Sequence, residues 1–459
     1  MRVKNMNAEE KVAYFTTAPI PPLICQMAVP TIISMLVTSF YNMADTIFVG
    51  RINTQSTAAV GVVYSVMALI QAIGFFFGHG SGNYISRKLG AKEFEEAAVM
   101  AATGFFSAFL AGIVLGCAGL IFLEPLSVFL GSTETILPYT MSYLRIILIG
   151  TPFMMSSLVL NNQLRFQGSA SYAMVGITAG AVLNIVLDPI LIFGFHMGVA
   201  GAAAATVISQ IVSFLILLRA SSKGGNFRIQ FRNFKPTGQR MVMIFKGGVP
   251  SLCRQGLGSI ATICLNTAAG LFGGVYADAA IAAMGIVSRV SMFANSALIG
   301  FGQGFQPVCG TNYGAKKYGR VREAFWFCVK VAAVFLVIIS AIGFVFAEPV
   351  VEIFREDPDV VRIGTLALRL QCVVFPLNSW IVMCNMCLQT IGKSLKASVL
   401  AAARQGLFFL PLIYILPRLF GLLGVQMCQT VSDIFTMALA LPIGLSVLKE
   451  LKEGEKQNF

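Results

Sequence analysis

The chain has 459 residues, 56% of them hydrophobic and only 12% charged, with a mean hydropathy of +0.79. A water-soluble chain carries about twice that share of charge, so a soluble enzyme or soluble binding module is excluded. The formal net charge of +13 suggests nucleic-acid binding, but the positions of the basic residues give it a simpler cause.

The apolar residues come in long blocks, such as Met100 to Leu123 and Val329 to Ala347. Blocks of ~20 residues cross a ~30 Å hydrocarbon core as helices, and the lack of period-2 alternation argues against a transmembrane barrel. In chain order, twelve spans are expected near 21–49, 56–83, 97–122, 136–163, 171–194, 199–218, 246–272, 279–309, 324–347, 359–388, 397–417 and 421–447. The expected fold class is therefore an all-α polytopic membrane protein. Several spans exceed what a bilayer needs, which implies tilt or extension beyond it. The polar stretch Met1 to Thr17 feeds a span far longer than a signal-peptide core and shows no small-residue cleavage pattern.

Basic residues set the expected orientation. With both termini cytoplasmic, 23 of the 33 Lys and Arg fall on the inner side and 4 (Arg51, Arg355, Arg362, Arg418) on the outer side. That asymmetry explains the net charge for a multi-pass plasma-membrane protein, and no nucleic-acid partner is expected. The ten cysteines are scattered along apolar helices, eight of them from Cys253 onward. Cys384 and Cys387 stand without a second pair or a nearby histidine, so they read as small core residues. His79 and His196 fall near opposite faces and cannot share a metal.

The chain is also written twice. A shift of 224 places "AAVGVVYS" (Ala58 to Ser65) on "AAMGIVSR" (Ala282 to Arg289), and the "GAK" at Gly90 on the "GAK" at Gly314. It also pairs Glu124-Pro125 with Glu348-Pro349, Leu144-Arg145 with Leu368-Arg369, Asn161 with Asn385 and Gly168 with Gly392. Six spans repeated with the same sidedness make two parallel six-helix lobes, related by a pseudo-two-fold axis along the membrane normal. The expected division is an N-terminal lobe over 1–218, a cytoplasmic linker over 219–245 and a C-terminal lobe over 246–459. Such repeats are the architecture of secondary transporters, whose halves rock about a site near the midplane.

Function is sought where the repeat fails. Asp188, inside the apolar run "NIVLDPILIF", falls opposite Leu410 or Leu412, and Asp45 falls opposite a stretch, Leu265 to Ala269, with no carboxylate. Both acids belong only to the first half, so neither is a by-product of the duplication, and an aspartate at the helix centre costs ~2.5–3.5 kcal/mol on insertion scales. Asn184 and Asp188 share a helix face at i, i+4, continued by Gly176 and Gly180, which let a neighbouring helix come close. Thr38, Tyr41, Asn42 and Asp45 share a face in span one. Thr206 and Tyr143 lie at similar depth in spans six and four. Two carboxylates in one pocket disfavour each other's charge, so the pair is suited to take up a proton. With Asn184 and Thr206 it is equally suited to hold a dehydrated Na⁺. The alternatives are that Asp188 caps a helix at Pro189 or pairs with an arginine such as Arg145.

The "VP" entering span one, "NMADTIFVG" (Asn42 to Gly50), "GAK", "LNIVLDP" (Leu183 to Pro189) and the repeated halves resemble the MATE multidrug and toxin extrusion transporters, in their DinF/MepA-like bacterial branch. The resemblance spans essentially the whole chain. It implies an antiporter in the bacterial inner membrane that exports amphipathic organic cations against H⁺ or Na⁺, with no other cofactor. It also implies a cation-coupling site on Asp45, Asp188, Asn184, Thr206 and Tyr143, with Na⁺ as one possible occupant of the first four. A bend of span one at Pro30 is implied too; Pro250 is its counterpart in the second half, and a static kink or a helix start at Pro30 are the other readings of that proline. A monomer is the default state.

One branch of the family carries acids in spans seven and ten, where this chain has Arg254, Gln255 and Arg369, so a second-lobe cation site of that kind is not expected. Asp433 remains there, and Arg289 at similar depth is its expected partner. Asn161, Met35, Met154, Met174, Arg289 and Asp433 are the candidates for a substrate cavity. The competing reading within transport is a flippase for lipid-linked oligosaccharides or other lipids, kept open by Arg145, Arg254, Arg289 and Arg369. No HExxH, G-x-S-x-G or Walker loop is present, so no enzyme activity is expected.

Overall fold

The computed structural model describes residues 6–457; Arg2 and Lys4, two of the basic residues assigned above to the inner side, lie outside them. A short α1 (Ala8–Thr17) is capped reciprocally by Asn7 and Glu10, at 2.8 and 3.0 Å. The first half then runs through α2 (Ile20–Gly50), α3 (Thr54–Gly90), α4 (Phe94–Ile121), the short α5 (Leu123–Phe129), α6 (Leu137–Phe166), α7 (Ala170–Pro189) and α8 (Val199–Ala220). The second half runs through α9 (Gly238–Phe272), α10 (Ala277–Gly314), α11 (Tyr318–Val345), the short α12 (Ala347–Phe354), α13 (Pro358–Val374), α14 (Asn378–Thr390), α15 (Ser394–Ala402), α16 (Phe409–Phe420) and α17 (Leu422–Gln457). A 3-10 turn at Phe375–Leu377, containing Pro376, joins α13 to α14, and a π turn at Ala403–Leu407 joins α15 to α16. Each half thus makes six crossings. Eleven segments are long and apolar enough to span a bilayer; α9 matches them in length but is less apolar.

The duplication persists down to single hydrogen bonds. Asn161 donates to the Ala173 carbonyl at 3.1 Å, and its counterpart Asn385 donates to Ala397, Ala173's own counterpart, at 2.7 Å. The two "GAK" turns each put their lysine in the left-handed region, Lys92 at φ 61° and Lys316 at φ 58°. That conformation costs an L-residue roughly 1–2 kcal/mol, and it ends α3 and α10 in the same way.

The halves meet along two antiparallel helix pairs, α2 with α10 and α3 with α9. Near the basic end of the bundle, which carries both described termini, they close to backbone contact because glycines line the seam. A Cβ on Gly300 would stand 2.7 Å from Ile32 Cα, and one on Gly247 would stand 3.0 Å from the Gly80 carbonyl oxygen. The α2–α10 seam ends at Ser39 against Ser296 (3.1 Å) and Phe40 edge-to-face on Phe293 (5.5 Å). One turn further along the same faces, Met43 and Arg289 are exposed. The two halves therefore diverge toward the end remote from the termini, here termed the open end.

A buried polar knot sits on the pseudo-two-fold axis at the closed end. Arg165, 1% exposed, donates to Gln303 Oε1 and Asn162 Oδ1 at 2.6 Å each and to His79 Nε2 at 3.1 Å. A guanidinium only donates, so Nε2 accepts and Nδ1 carries the proton toward Ser251 Oγ, 2.9 Å away. Gln389 Nε2 reaches the same Ser251 at 2.8 Å. Arg165 with Gln389, and His79 with Gln303, are repeat-related pairs at the shift of 224. Arg165, the charged member of the bonds to Gln303, Asn162 and His79, comes from the first half, and no carboxylate joins the knot among these bonds.

Below the knot, α1 straps the halves together. Lys11 Nζ donates to Ser169 Oγ (2.7 Å) and Asn226 Oδ1 (2.9 Å), while Asn312 and Lys317 donate to the carbonyls of Phe15 and Thr16 at 3.0 and 2.9 Å. Lys11 is buried without a carboxylate partner among the described residues, and desolvation lowers its pKa from 10.5 to about 8.

Candidate functional site

The N-terminal half gathers its acids between α2, α6, α7 and α8. Gly180 brings α8 close: a Cβ there would lie 2.9 Å from Ser213 Cβ and 3.1 Å from the Ser209 carbonyl. The same approach sets Thr206 beside Asn184, whose Nδ2 lies 3.4 Å from Thr206 Oγ1 and 3.4 Å from Asp188 Oδ1. Asp188 is fully buried, Asn184 and Thr206 nearly so. Asp45, half-buried on α2, lies within electrostatic range of Asp188. Tyr143, fully buried, packs beside Thr206 and 3.7 Å from the Met67 sulfur, within range of both acids. Tyr41 of α2 also neighbours both acids. The structure thus brings the five residues named for a coupling site into one neighbourhood between these helices.

The pocket's chemistry follows from its unpaired atoms. Asp45 Oδ1, Asn184 Oδ1 and Asp188 Oδ2 are buried without a hydrogen-bond partner, and Asp188 has neither an arginine partner nor a capping bond among the described residues. A buried acceptor left unpaired costs about 1–3 kcal/mol, more when charged. Acceptors exceed donors here, so the arrangement suits a proton or a small hard cation that prefers oxygen ligands. Among the described residues no group of three or more His, Cys, Asp or Glu side chains gathers as a metal site. All ten cysteines are free, Cys384 and Cys387 included.

The second half treats its acid differently, and the expected partner needs correcting. Asp433, fully buried on α17, is held by Arg404, not Arg289: Arg404 Nε lies 2.8 Å from Oδ1 and its NH2 3.3 Å from Oδ2. Gln429 donates at 2.8 Å and Asn378 at 3.4 Å. Arg404 sits in the π turn between α15 and α16, which packs on α17, whereas Arg289 lies on the α10 face turned toward α2. Depth along the sequence was similar, but helix rotation separated them.

The other cavity candidates divide. Asn161 and Met154 are buried among packed helices, Asn161 with its amide donated to the Ala173 carbonyl. Met35 and Met174 are half-buried. Pro30 and Pro250 lie buried inside continuous helices, so α2 does not begin at Pro30. Beside Pro30, the Thr31 hydroxyl sits 2.8 Å from the Ala28 carbonyl and 2.6 Å from the Gly300 carbonyl across the seam.

With this geometry in place, a family model described as MatE matches residues 30–190 and 256–415, one copy in each half. The chain belongs to the MATE family. That is a family of transporters rather than enzymes, and the relatives place this chain in its MepA-like bacterial branch. It is 29% identical over 445 residues to the multidrug export protein MepA of Staphylococcus haemolyticus, covering 96% of this chain and 97% of that one. MepA of Staphylococcus aureus (strain COL) is 29% identical over 420 residues, covering 91% and 92%. Among solved structures, a multidrug resistance MATE family transporter in an outward-facing conformation matches with a TM-score of 0.89 at 26% identity, over 98% of this chain and 99% of that chain. A MATE in a bent conformation also gives 0.89 at 26% identity, over 99% and 100%. This MATE chain is a multi-pass membrane protein with the two-lobed, twelve-helix fold.

Proposed function

We propose that this chain is a secondary active multidrug efflux antiporter, exporting amphipathic organic cations across a bacterial inner membrane in exchange for H⁺ or Na⁺. Its lobes are residues 1–218 and 246–459, joined by 219–245, with both termini cytoplasmic and the open end outward. The observation that carries the coupling role is the set of unpaired buried oxygens on Asp45, Asn184 and Asp188. Taking up a cation satisfies them, and Thr206 and Tyr143 complete the shell. Uptake draws α2 and α7 together, and α2 is also one side of the seam between lobes, so occupancy and lobe closure are mechanically linked. The likeness to multidrug export proteins supports the substrate class.

Everted vesicles from a drug-sensitive host test this with a panel of cationic dyes run beside a lipid-linked precursor. Dye accumulation that is driven by an imposed ion gradient and is independent of ATP is expected. Movement of the lipid-linked precursor alone would favour the flippase reading instead.

A further inference from the structure

The segment between the halves, residues 221–237, lies along the flank of α4. Lys235 N donates to Thr103 Oγ1 at 3.4 Å, and the Phe231 and Phe234 rings stand 5.4 and 5.5 Å from Phe106. Phe106 continues a stripe of α4 formed by Leu110, Ile113 and Val114, which are 50%, 38% and 66% exposed. On a spanning helix such a stripe faces hydrocarbon. Counting back about 20 residues, ~30 Å, from Ile121 puts the hydrocarbon boundary at the basic end near Ala101. Thr103, where Lys235 is bonded, therefore stands at that boundary, and Phe106 with the two rings that cover it lies about 7–8 Å on its hydrocarbon side; Phe231 keeps 73% of its surface exposed there.

The charges beside it are unbalanced. Arg228, Arg232 and Lys235 are exposed, and none has an ion-pair partner among the described residues. The next basic residue along, Arg240, is clasped by both oxygens of Glu96 at 3.0 and 2.8 Å. So the fold supplies a counter-ion to Arg240 and leaves three cations bracketing an exposed aromatic ring at the membrane surface.

We propose that residues 228–235 bind the anionic phospholipid headgroups of the leaflet at the basic end. Phe231 inserts at the headgroup–acyl boundary, and Arg228, Arg232 and Lys235 take the phosphates. Basic residues near an anionic leaflet each contribute about five-fold in partition, and an apolar side chain such as Phe beside them buries ~5–10 Å into the headgroup–acyl boundary. The site pins the connection between the lobes to the bilayer. It is independent of the cation pocket, and a failure of either reading leaves the other standing.

The test uses the full chain in nanodiscs with Phe231→Trp as a reporter, the signal of the native Trp326 and Trp380 being subtracted with the unsubstituted chain. Bromine-labelled phosphatidylglycerol in a phosphatidylcholine host is compared with the reverse pairing. Expected is quenching several-fold stronger from the anionic lipid at equal fraction. The preference should shrink as salt rises from 0.1 to 1 M and the screening length falls from ~10 to ~3 Å. It should vanish in Arg228→Gln/Arg232→Gln/Lys235→Gln and survive Arg228→Lys/Arg232→Lys. Equal quenching by both lipids would overturn the headgroup assignment. Absence of quenching by either would overturn the membrane placement, whether or not soluble polyphosphate alters the signal.

Discussion

Asp188 in the first half and Asp433 in the second are both fully buried carboxylates in apolar helices, yet their surroundings are opposite. Asp433 is held by the Arg404 guanidinium, by Gln429 and by Asn378. Asp188 receives one long bond from Asn184 and keeps an oxygen unpaired, with Asp45 nearby and no basic partner among the described residues. A clasped acid is a structural joint: its charge is balanced inside the fold, and nothing from solution improves it. An acid left short of donors and near a second acid is balanced only by something that arrives. The duplicated scaffold therefore carries one unbalanced acid pair, the proposed coupling site, and one closed ion pair.

That contrast can be broken from either side. The largest stability effect should follow Arg404→Gln, which strands the Asp433 carboxylate; removing one partner of a buried pair costs about 3–5 kcal/mol. The double variant Arg404→Gln/Asp433→Asn should recover most of it, read as thermal unfolding in detergent. In the first half, Asp188→Asn should leave stability unchanged within about 1 kcal/mol or raise it, because it removes an uncompensated charge. Equal losses from Asp188→Asn and Asp433→Asn would erase the distinction between the two pockets.

Smaller effects probe the seam and the strap. Gly300→Ala places a methyl 2.7 Å from Ile32 Cα, and forcing it in should cost about 1–3 kcal/mol. It should also raise thiol-reagent labelling of a cysteine placed at the closed end. A pH-dependent effect concerns Lys11, whose pKa falls from 10.5 to about 8 on burial. Between those values the unfolded chain holds a proton that the folded chain does not, so stability rises with pH across that window and is flat on either side. A rise of about 2 °C in unfolding temperature is expected between pH 8 and 10, and Lys11→Gln should abolish it.

The spans, the duplication and the gathering of Asp45, Asn184, Asp188, Thr206 and Tyr143 were legible because each rests on periodicity or depth, which sequence records directly. Asn184 and Asp188 share a face at any reasonable helix boundary, and Gly180 announced the close approach of α8. The Arg404–Asp433 pair was not legible, since depth alone also admitted Arg289 and only the π turn at Ala403–Leu407 decides between them. The His79–Arg165–Ser251–Gln389 knot was equally hidden. It joins helices far apart in sequence through side chains that, taken singly, carry no sign of one another. The signal was present in the 224-residue shift, which pairs Arg165 with Gln389 and His79 with Gln303.

The most direct test of the central claim is substrate transport in proteoliposomes under a proton gradient or a sodium gradient imposed separately, with the wild-type chain and Asp188→Asn side by side. The wild type should be accelerated by at least one of the two gradients, and the variant, though folded and still binding dye, by neither. Gradient-driven transport of equal rate in both proteins would contradict the account.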